Sequence, residues 1–389
     1  YAASRYTEAK LEPICEELFR DIDRDTVDFA DNYDATCKEP VLLPVTFPNI
    51  LTNNTLGIAV GMASSICSFN LAEVCNTTIA LLKDENADIK DTLIAPDFAG
   101  GGIILYDESD IDGVYNTGRG SIKVRSKWNY VKEDNVIEIT EIPPTTTVEA
   151  IIDKVADLVK QGKIKEINDV RDETDLNGLK LTFDLKRGQD PEKFMRKLFR
   201  STPLEDNFSA NFNILIGGSP RVMGIREILT EWTAYRMGCV KRRLYFDLKG
   251  KKDRLHLVKG LEAILLDIDK AVNIVRNTEE EKDVVPNLMI GFGIDETQAE
   301  YVAEIRLRQL NRNYIIKRID EKEQLEKDIA ELEDILKSNT KIKKVIIKEL
   351  REVAKKYGQP RKSEILYGIT AKEDKEEEPR IPAYPVNVF

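Results

Sequence analysis

Histidine is almost absent from this sequence of 389 residues, with His256 the single example. Its scarcity removes Ser-His-Asp triads, histidine proton shuttles and histidine-ligated metal sites from consideration. The cysteines, Cys15, Cys37, Cys67, Cys75 and Cys239, are odd in number and contain no CxxC pair. That argues against a disulfide framework or a zinc site and for a reducing, cytoplasmic setting. No run of about 18 apolar residues occurs, so no membrane-spanning helix is expected. The first residues lack the basic and apolar regions of a signal peptide, and a chain cut from something longer is expected. A GxxxxGK[ST] motif is missing too. Nucleotide binding through a P-loop is therefore not expected, and the glycines at 100 to 102, 217 to 218 and 291 to 293 lack the strand-helix context of a dinucleotide site.

Charge is what the sequence has in plenty. One third of the residues are charged, which suggests long solvated helices, and the length implies two or more domains. The net charge of -11 speaks against a nonspecific nucleic-acid binder, but its distribution is uneven. Arg119, Lys123, Arg125 and Lys127 stand without a compensating acid, and a second basic stretch runs from Lys241, Arg242 and Arg243 to Lys249, Lys251, Lys252 and Arg254. The acids gather at 21 to 39, 279 to 283, 320 to 334 and 373 to 378. Asp21, Asp23 and Asp25 are spaced as in a calcium loop, yet Thr26 and Asn32 occupy the positions that need Gly and an acid, so these acids read as caps and turns.

The periodicities predict an α+β fold. From about 41 to 215, short apolar runs such as "GIAVGMA", "GGIILY", "VIEIT" and "LKLTFDL" alternate with helical stretches at 148 to 160 and 191 to 200. The stretch "TGRGSIKVRSKW" alternates as a strand, which would project Lys123, Arg125 and Lys127 from one face. A row of cations suits a phosphate backbone and equally suits a solvated surface. From 224 the pattern becomes long helix. Leu255, Val258, Leu261, Leu265, Ile268, Val272 and Val275 form one coiled-coil seam; Leu325, Ile329, Leu332, Leu336, Ile342, Ile346, Leu350, Val353 and Tyr357 form a second. The insert between them holds shorter helices, which predicts an antiparallel hairpin capped by a knob suited to a dimer contact. "AKEDKEEEPRIPAYPVNVF" reads as a linker and the start of a further domain.

Near the amino terminus, Ala3, Tyr6, Ala9 or Lys10, Leu11, Ile14, Leu18 and Phe19 recur at helical steps. The plain reading of Tyr6 is a core aromatic on that stripe. A free phenol, with a pKa of about 10, is a poor nucleophile unless a cation, metal or base stands beside it. Arg5 is adjacent.

Eight motifs occur in order: "RYTEAKL" at 5 to 11, "DNYD" at 31 to 34, "FPNIL" at 47 to 51, "GIAVGMAS" at 57 to 64, "PDF" at 96 to 98, "TGRGSIKVRS" at 117 to 126, "EIP" at 141 to 143 and "RDETD" at 171 to 175. Together they closely resemble the A subunit of bacterial type IIA topoisomerases, DNA gyrase or topoisomerase IV, and "DETQAEYVAEIRLRQL" is similar to that family's exit gate. The resemblance implies a division into a remnant of a winged-helix domain (1–40), a mixed α/β tower (41–222), a coiled coil (223–278 and 316–368), an exit-gate dimerisation domain (279–315) and a linker (369–389). It implies that Tyr6 attacks a DNA phosphate to form a 5′-phosphotyrosyl link and that Arg5 stabilises the charge that develops. Ile58 would wedge between bases and bend the duplex, with Gly57 and Gly61 letting backbone pass close to DNA. Arg119, Lys123 and Arg125 would line the arm along which the bent duplex lies. Mg²⁺ and ATP would be held by the B subunit, in an A2B2 assembly in which two copies of this chain make a staggered double-strand break in double-stranded DNA. The expected location is the cytoplasm, in association with the nucleoid. The segment lacks most of the winged-helix domain and is expected to be inactive alone. Where the family usually carries Ile-Pro-Pro-His-Asn this chain has Ile66-Cys67-Ser68-Phe69-Asn70, and Pro144 replaces a Tyr after "EIP". The alternative from a different class is a noncatalytic coiled-coil clamp that binds DNA without cutting it.

Overall fold

The computed structural model describes residues 4–306 and 312–368. The chain forms two compact units, one of Phe47–Thr233 with Leu350–Phe389, the other of Tyr1–Thr46 with Ala234–Glu349. Ala3, the knob residues 307–311 and the linker 369–389 lie outside the described residues.

The first unit is α+β. Its larger sheet has six strands in the spatial order Glu364–Leu366, Ile103–Leu105, Arg119–Arg125, Glu205–Asn211, Ser64–Ile66 and Thr55–Gly57, antiparallel except for the first pair. Alternation decides its faces. Ile122, Val124, Phe208, Ala210 and Ile66 turn inward onto a core with Phe69, Val74, Phe98, Ile111 and Val114. The helices that supply this core are well capped: Asn70 accepts hydrogen bonds from the amides of Ala72 and Glu73 to start Leu71–Lys83, and Asp107 does the same for Ser109 and Asp110 to start Glu108–Thr117. Gly118 ends the second with φ +69°, and any Cβ there would stand 2.2 Å from the Met223 carbonyl oxygen. The turn needs glycine on both counts.

A second, antiparallel sheet of Lys127–Val131, Val136–Glu141, Leu181–Leu185 and Ile167–Asp172 is covered by the helices Val148–Lys160 and Pro191–Ser201. Ile137, Ile139, Phe183, Ile151, Val155, Phe194 and Leu198 make its core. Two expectations change here. Lys127 does not continue the basic strand, because the chain breaks at buried Ser126 and Lys127 opens this second sheet, where it pairs with Glu141 and Glu364. "GIAVGMA" is no strand; residues 58 to 63 form the exposed tip of a hairpin.

In the other unit the amphipathic opening helix gives way to a single 3-10 turn, Ser4–Tyr6, and the five-residue helix Cys15–Phe19. Pro13 cannot donate an amide hydrogen bond and biases the residue before it away from helix, and Leu11 is exposed. The hairpin Phe29–Asp31 with Lys38–Pro40 follows. The helix Ile225–Leu265 runs for 41 residues, and Arg312–Leu336 lies antiparallel to its later half. Lys252 to Glu333, Lys251 to Asp328, Lys259 to Glu326, Arg254 to Glu321 and Glu262 to Lys322 join them. The first seam is not one helix, since Asp267 caps a new one, Ile268–Asn277, through the Lys270 amide. The second seam likewise divides, into Arg312–Leu336 and Asn339–Tyr357. The knob packs Ile264, Ala271, Leu288 and Ala299 together, and a reciprocal cap between Asp295 and Gln298 opens its helix Glu296–Ala303.

Candidate nucleic-acid interface

Two groups of residues carry the chemistry expected from the sequence, one in each unit. Gly57, Ile58, Arg119, Lys123 and Arg125 belong to the six-stranded sheet; Arg5 and Tyr6 belong to the unit that holds the long helices.

On the sheet, Leu56 faces Ser65, Ser65 faces Asn211 and Asn211 faces Arg119. Directly paired residues project to the same side. The row therefore places the apolar hairpin and the start of the basic strand on one face, and the period of two adds Lys123 and Arg125 to it. The hairpin closes over 58 to 63, with Gly61 at φ +82° supplying the turn. Ile58 is 90% exposed, and Val60 and Leu56 are exposed beside it. Clustered apolar side chains held in water in this way mark an interaction surface. An added Cβ at Gly57 would meet only the Ser64 Cβ, at 4.0 Å, so the chain's own packing does not demand glycine there. The root of the hairpin is tied to the sheet by side chains: Asn211 Nδ2 donates to the Ala63 carbonyl at 2.8 Å, and Ser64 Oγ donates to the Asn213 carbonyl at 2.9 Å.

The three cations of the basic strand are not equivalent. Arg119 is exposed and has no ion-pair partner among the described residues. Lys123 Nζ stands 3.7 Å from Glu205 Oε1, and Arg125 donates to Glu205 Oε2 at 2.6 Å while stacking 4.7 Å from the Phe199 ring. Arg119 thus offers a full free charge and Arg125 the least.

Tyr6 ends the 3-10 turn with its side chain 72% exposed, and the Arg5 guanidinium lies 5.0 Å from its ring centre. The core-aromatic reading does not hold: this phenol is open to solvent with a cation alongside. The second basic stretch, by contrast, is largely consumed internally. Arg242 pairs with Asp25 and Asp28, and Arg243 with Asp21 and Glu349. Arg236, which the charge pattern had not singled out, is buried and donates to Glu349 and the Pro44 carbonyl. Two of the acids spaced as in a calcium loop, Asp21 and Asp25, are staples of this helix.

A sequence model for the A subunit of DNA gyrase/topoisomerase IV matches residues 1–351. The chain belongs to that family. It is 39% identical over 382 residues to the DNA gyrase A subunit of Ureaplasma parvum, covering 97% of this chain and 45% of that protein. With the DNA gyrase A subunit of Staphylococcus aureus it is 37% identical over 388 residues, or 98% of this chain and 44% of that one. The chloroplastic/mitochondrial DNA gyrase A subunit of Arabidopsis thaliana is 37% identical over 371 residues, 93% of this chain and 39% of its own. The chain spans less than half the length of these curated relatives.

As a member of the gyrase/topoisomerase IV family, it departs from the usual motif at 66 to 70, and the residues that stand there are packed into the unit. Cys67 is fully buried, which pushes its thiol well above the ordinary range, Phe69 meets Tyr115 edge-on at 5.9 Å, and Asn70 is the helix cap already described. These side chains serve the core. Among the described residues no group of three or more His, Cys, Asp or Glu is placed to hold a metal ion, and no helix is long and apolar enough to cross a membrane.

Proposed function

We propose that this chain is the breakage-reunion core of an ATP-dependent type IIA DNA topoisomerase, with Tyr6 as nucleophile. The observation that carries the reading is the solvent-open phenol with the Arg5 guanidinium beside it. The Tyr6 Oη attacks phosphorus in the DNA backbone. A new Oη–P bond forms, the P–O3′ bond breaks, the phenol gives up its proton and the departing 3′ oxygen ends as a hydroxyl. One phosphodiester replaces another, so the reverse attack reseals the strand. Arg5 offsets the negative charge that builds on the phosphoryl oxygens and the leaving oxygen.

The sheet face of the other unit supplies the substrate-holding half. Ile58 enters a base step from the hairpin tip, which costs a few kcal/mol of stacking and is offset by the wider contact that a bent duplex makes. Arg119, Lys123 and Arg125 track its phosphates. Two copies cut the two strands, and the knob joins the copies. Among the described residues no group of His, Cys, Asp or Glu fits Mg²⁺; Mg²⁺ and ATP are assigned to the B-type partner of an A2B2 assembly acting on cytoplasmic, nucleoid DNA.

The test is SDS-trapped cleavage of supercoiled plasmid by the full-length chain with its B-type partner, Mg²⁺ and ATP. Linear DNA covalently joined to protein is expected with Tyr6 and lost with Tyr6→Phe. Equal cleavage by both would leave the chain as a noncatalytic clamp.

A further inference from the structure

The hairpin that carries Ile58 is weakly rooted by its backbone. Thr55–Gly57 is an edge strand, and its partner Ser64–Ile66 meets the rest of the sheet at a single pair, Ser65 with Asn211. From Asn53 to Ala63 every residue is exposed, so beyond the buried Ile66 at its root no apolar packing holds the arm. A wedge forced between bases is pushed back by the stack it opens, and an arm attached by one ladder pair would pivot rather than transmit that force.

We propose that Asn211, helped by Asn213 and Ser64, is a positioning residue that braces the Ile58 wedge from behind; the proposal rests on the wedge reading given above. The register decides the point. Gly57 pairs with Ser64, which puts Ala63 across the hairpin from Ile58. The Ala63 carbonyl is where the brace attaches: Asn211 Nδ2 donates to it at 2.8 Å, and Asn213 Nδ2 stands 3.5 Å from the same oxygen. Ser64 Oγ closes the loop by donating to the Asn213 carbonyl at 2.9 Å. The amide orientation is forced, because a flipped Asn211 would set its oxygen against that carbonyl. Its own Oδ1 is buried with no partner among the described residues. Leaving a buried acceptor unmatched is costly, and here the cost accompanies a donor aimed at the wedge. Asn211 also sits between Ser65 of the arm and Arg119 of the basic strand in the same cross-strand row. It therefore fixes the wedge relative to the phosphate track, which a bend of defined angle requires.

The experiment uses the full-length chain with its B-type partner and a duplex dye-labelled at both ends, reading bending by energy transfer and cleavage by SDS trapping. The variants are Asn211→Ala, the near-isosteric Asn211→Leu, Ser64→Ala, Ile58→Ala and the double Ile58→Ala/Asn211→Ala. Loss of one hydrogen bond at the root is expected to lower the bent population and cleavage about fivefold, with the melting temperature and the affinity for unbent duplex unchanged. The double variant is expected to be no worse than Ile58→Ala alone, since a brace has nothing to brace once the wedge is gone. Should Asn211→Ala fold poorly, Asn211→Leu and Ser64→Ala carry the same expectation. Wild-type bending by the Asn211 variants beside a defective Ile58→Ala overturns the brace alone, as does a double variant that loses the product of the two single effects. Wild-type bending by Ile58→Ala overturns the wedge, and the brace with it.

Discussion

The basic strand makes a prediction whose order and sign both come from its ion pairs. Each phosphate neutralised by a protein cation contributes about 0.9 to the slope of log K against log salt. Arg119, exposed and without a carboxylate partner among the described residues, has its whole charge to give. Arg119→Ala should therefore flatten the slope by about 0.9, so that raising salt from about 50 to about 200 mM weakens binding about 3.5-fold less than in the wild type. Glu205 shares its one negative charge between Arg125 at 2.6 Å and Lys123 at 3.7 Å. Lys123→Ala should cost less than Arg119→Ala, and Arg125→Ala should cost least. Glu205→Gln must act in the opposite direction: it releases one unit of charge on the same face and should steepen the slope by up to about 0.9. Fluorescence anisotropy of a labelled duplex, titrated with the full-length chain at a series of salt concentrations, measures all four. A wild-type slope in Arg119→Ala, or a flatter one in Glu205→Gln, would refute the placement of DNA on this sheet face.

Glu349→Ala should destabilise its unit by about 3 to 5 kcal/mol, because it removes the only carboxylate paired with the buried guanidinium of Arg236 among the described residues and leaves Arg243 with Asp21 alone; urea denaturation reads this, and a loss below about 1 kcal/mol would contradict it. Burial pushes the Glu349 carboxyl up, but Arg236 and Arg243 together outweigh it and hold the group below its ordinary range. Its contribution is therefore complete above the unfolded value of about 4.3 and disappears as pH falls through the lower folded value; stability that stays flat through this acid range in wild type, or the same acid loss in Glu349→Gln, would contradict the assignment. Ile290, exposed on the knob, should when changed to Asp convert a dimer in analytical ultracentrifugation to monomers without altering the melting of the tower sheets; a dimer that survives this change, at a position where burial would make the charge costly, would remove Ile290 from the interface. Gly118→Ala should destabilise by more than the about 1 kcal/mol that a glycine-to-alanine change gains where the backbone suits alanine, since it adds a clash with Met223 to an unfavourable φ; full stability in a thermal melt would contradict the turn geometry.

What could be read from the sequence depended on how far apart the deciding partners lie. The helices at 148 to 160 and 191 to 200 begin and end almost where periodicity put them, because Thr147 and Asp190 cap them locally. The strand Arg119–Arg125 was legible for the same reason, its alternation being a property of consecutive residues. The opening stripe misled, since periodicity states which residues would share a face and not whether anything covers it; Leu11 remains in water. The seam through Leu265 and Ile268 missed its interruption although the signal was there, in the capping side chain of Asp267.

Charge was legible only as a sum over neighbours. Arg242 and Arg243 looked as available as Arg119 and Lys123, yet their partners Asp21, Asp25 and Asp28 lie more than 200 positions away along the chain. Only the fold could tell a free cation from a spent one. The same holds for the hairpin. "GIAVGMA" is an apolar run by composition, and what leaves it in water is an edge position with no layer over it. Its brace joins residues 148 apart through an asparagine that no motif contains. The residues expected to meet DNA stand in motifs because their neighbours travel with them, whereas residues that hold those motifs in place act across the fold and become visible only when the strands are side by side.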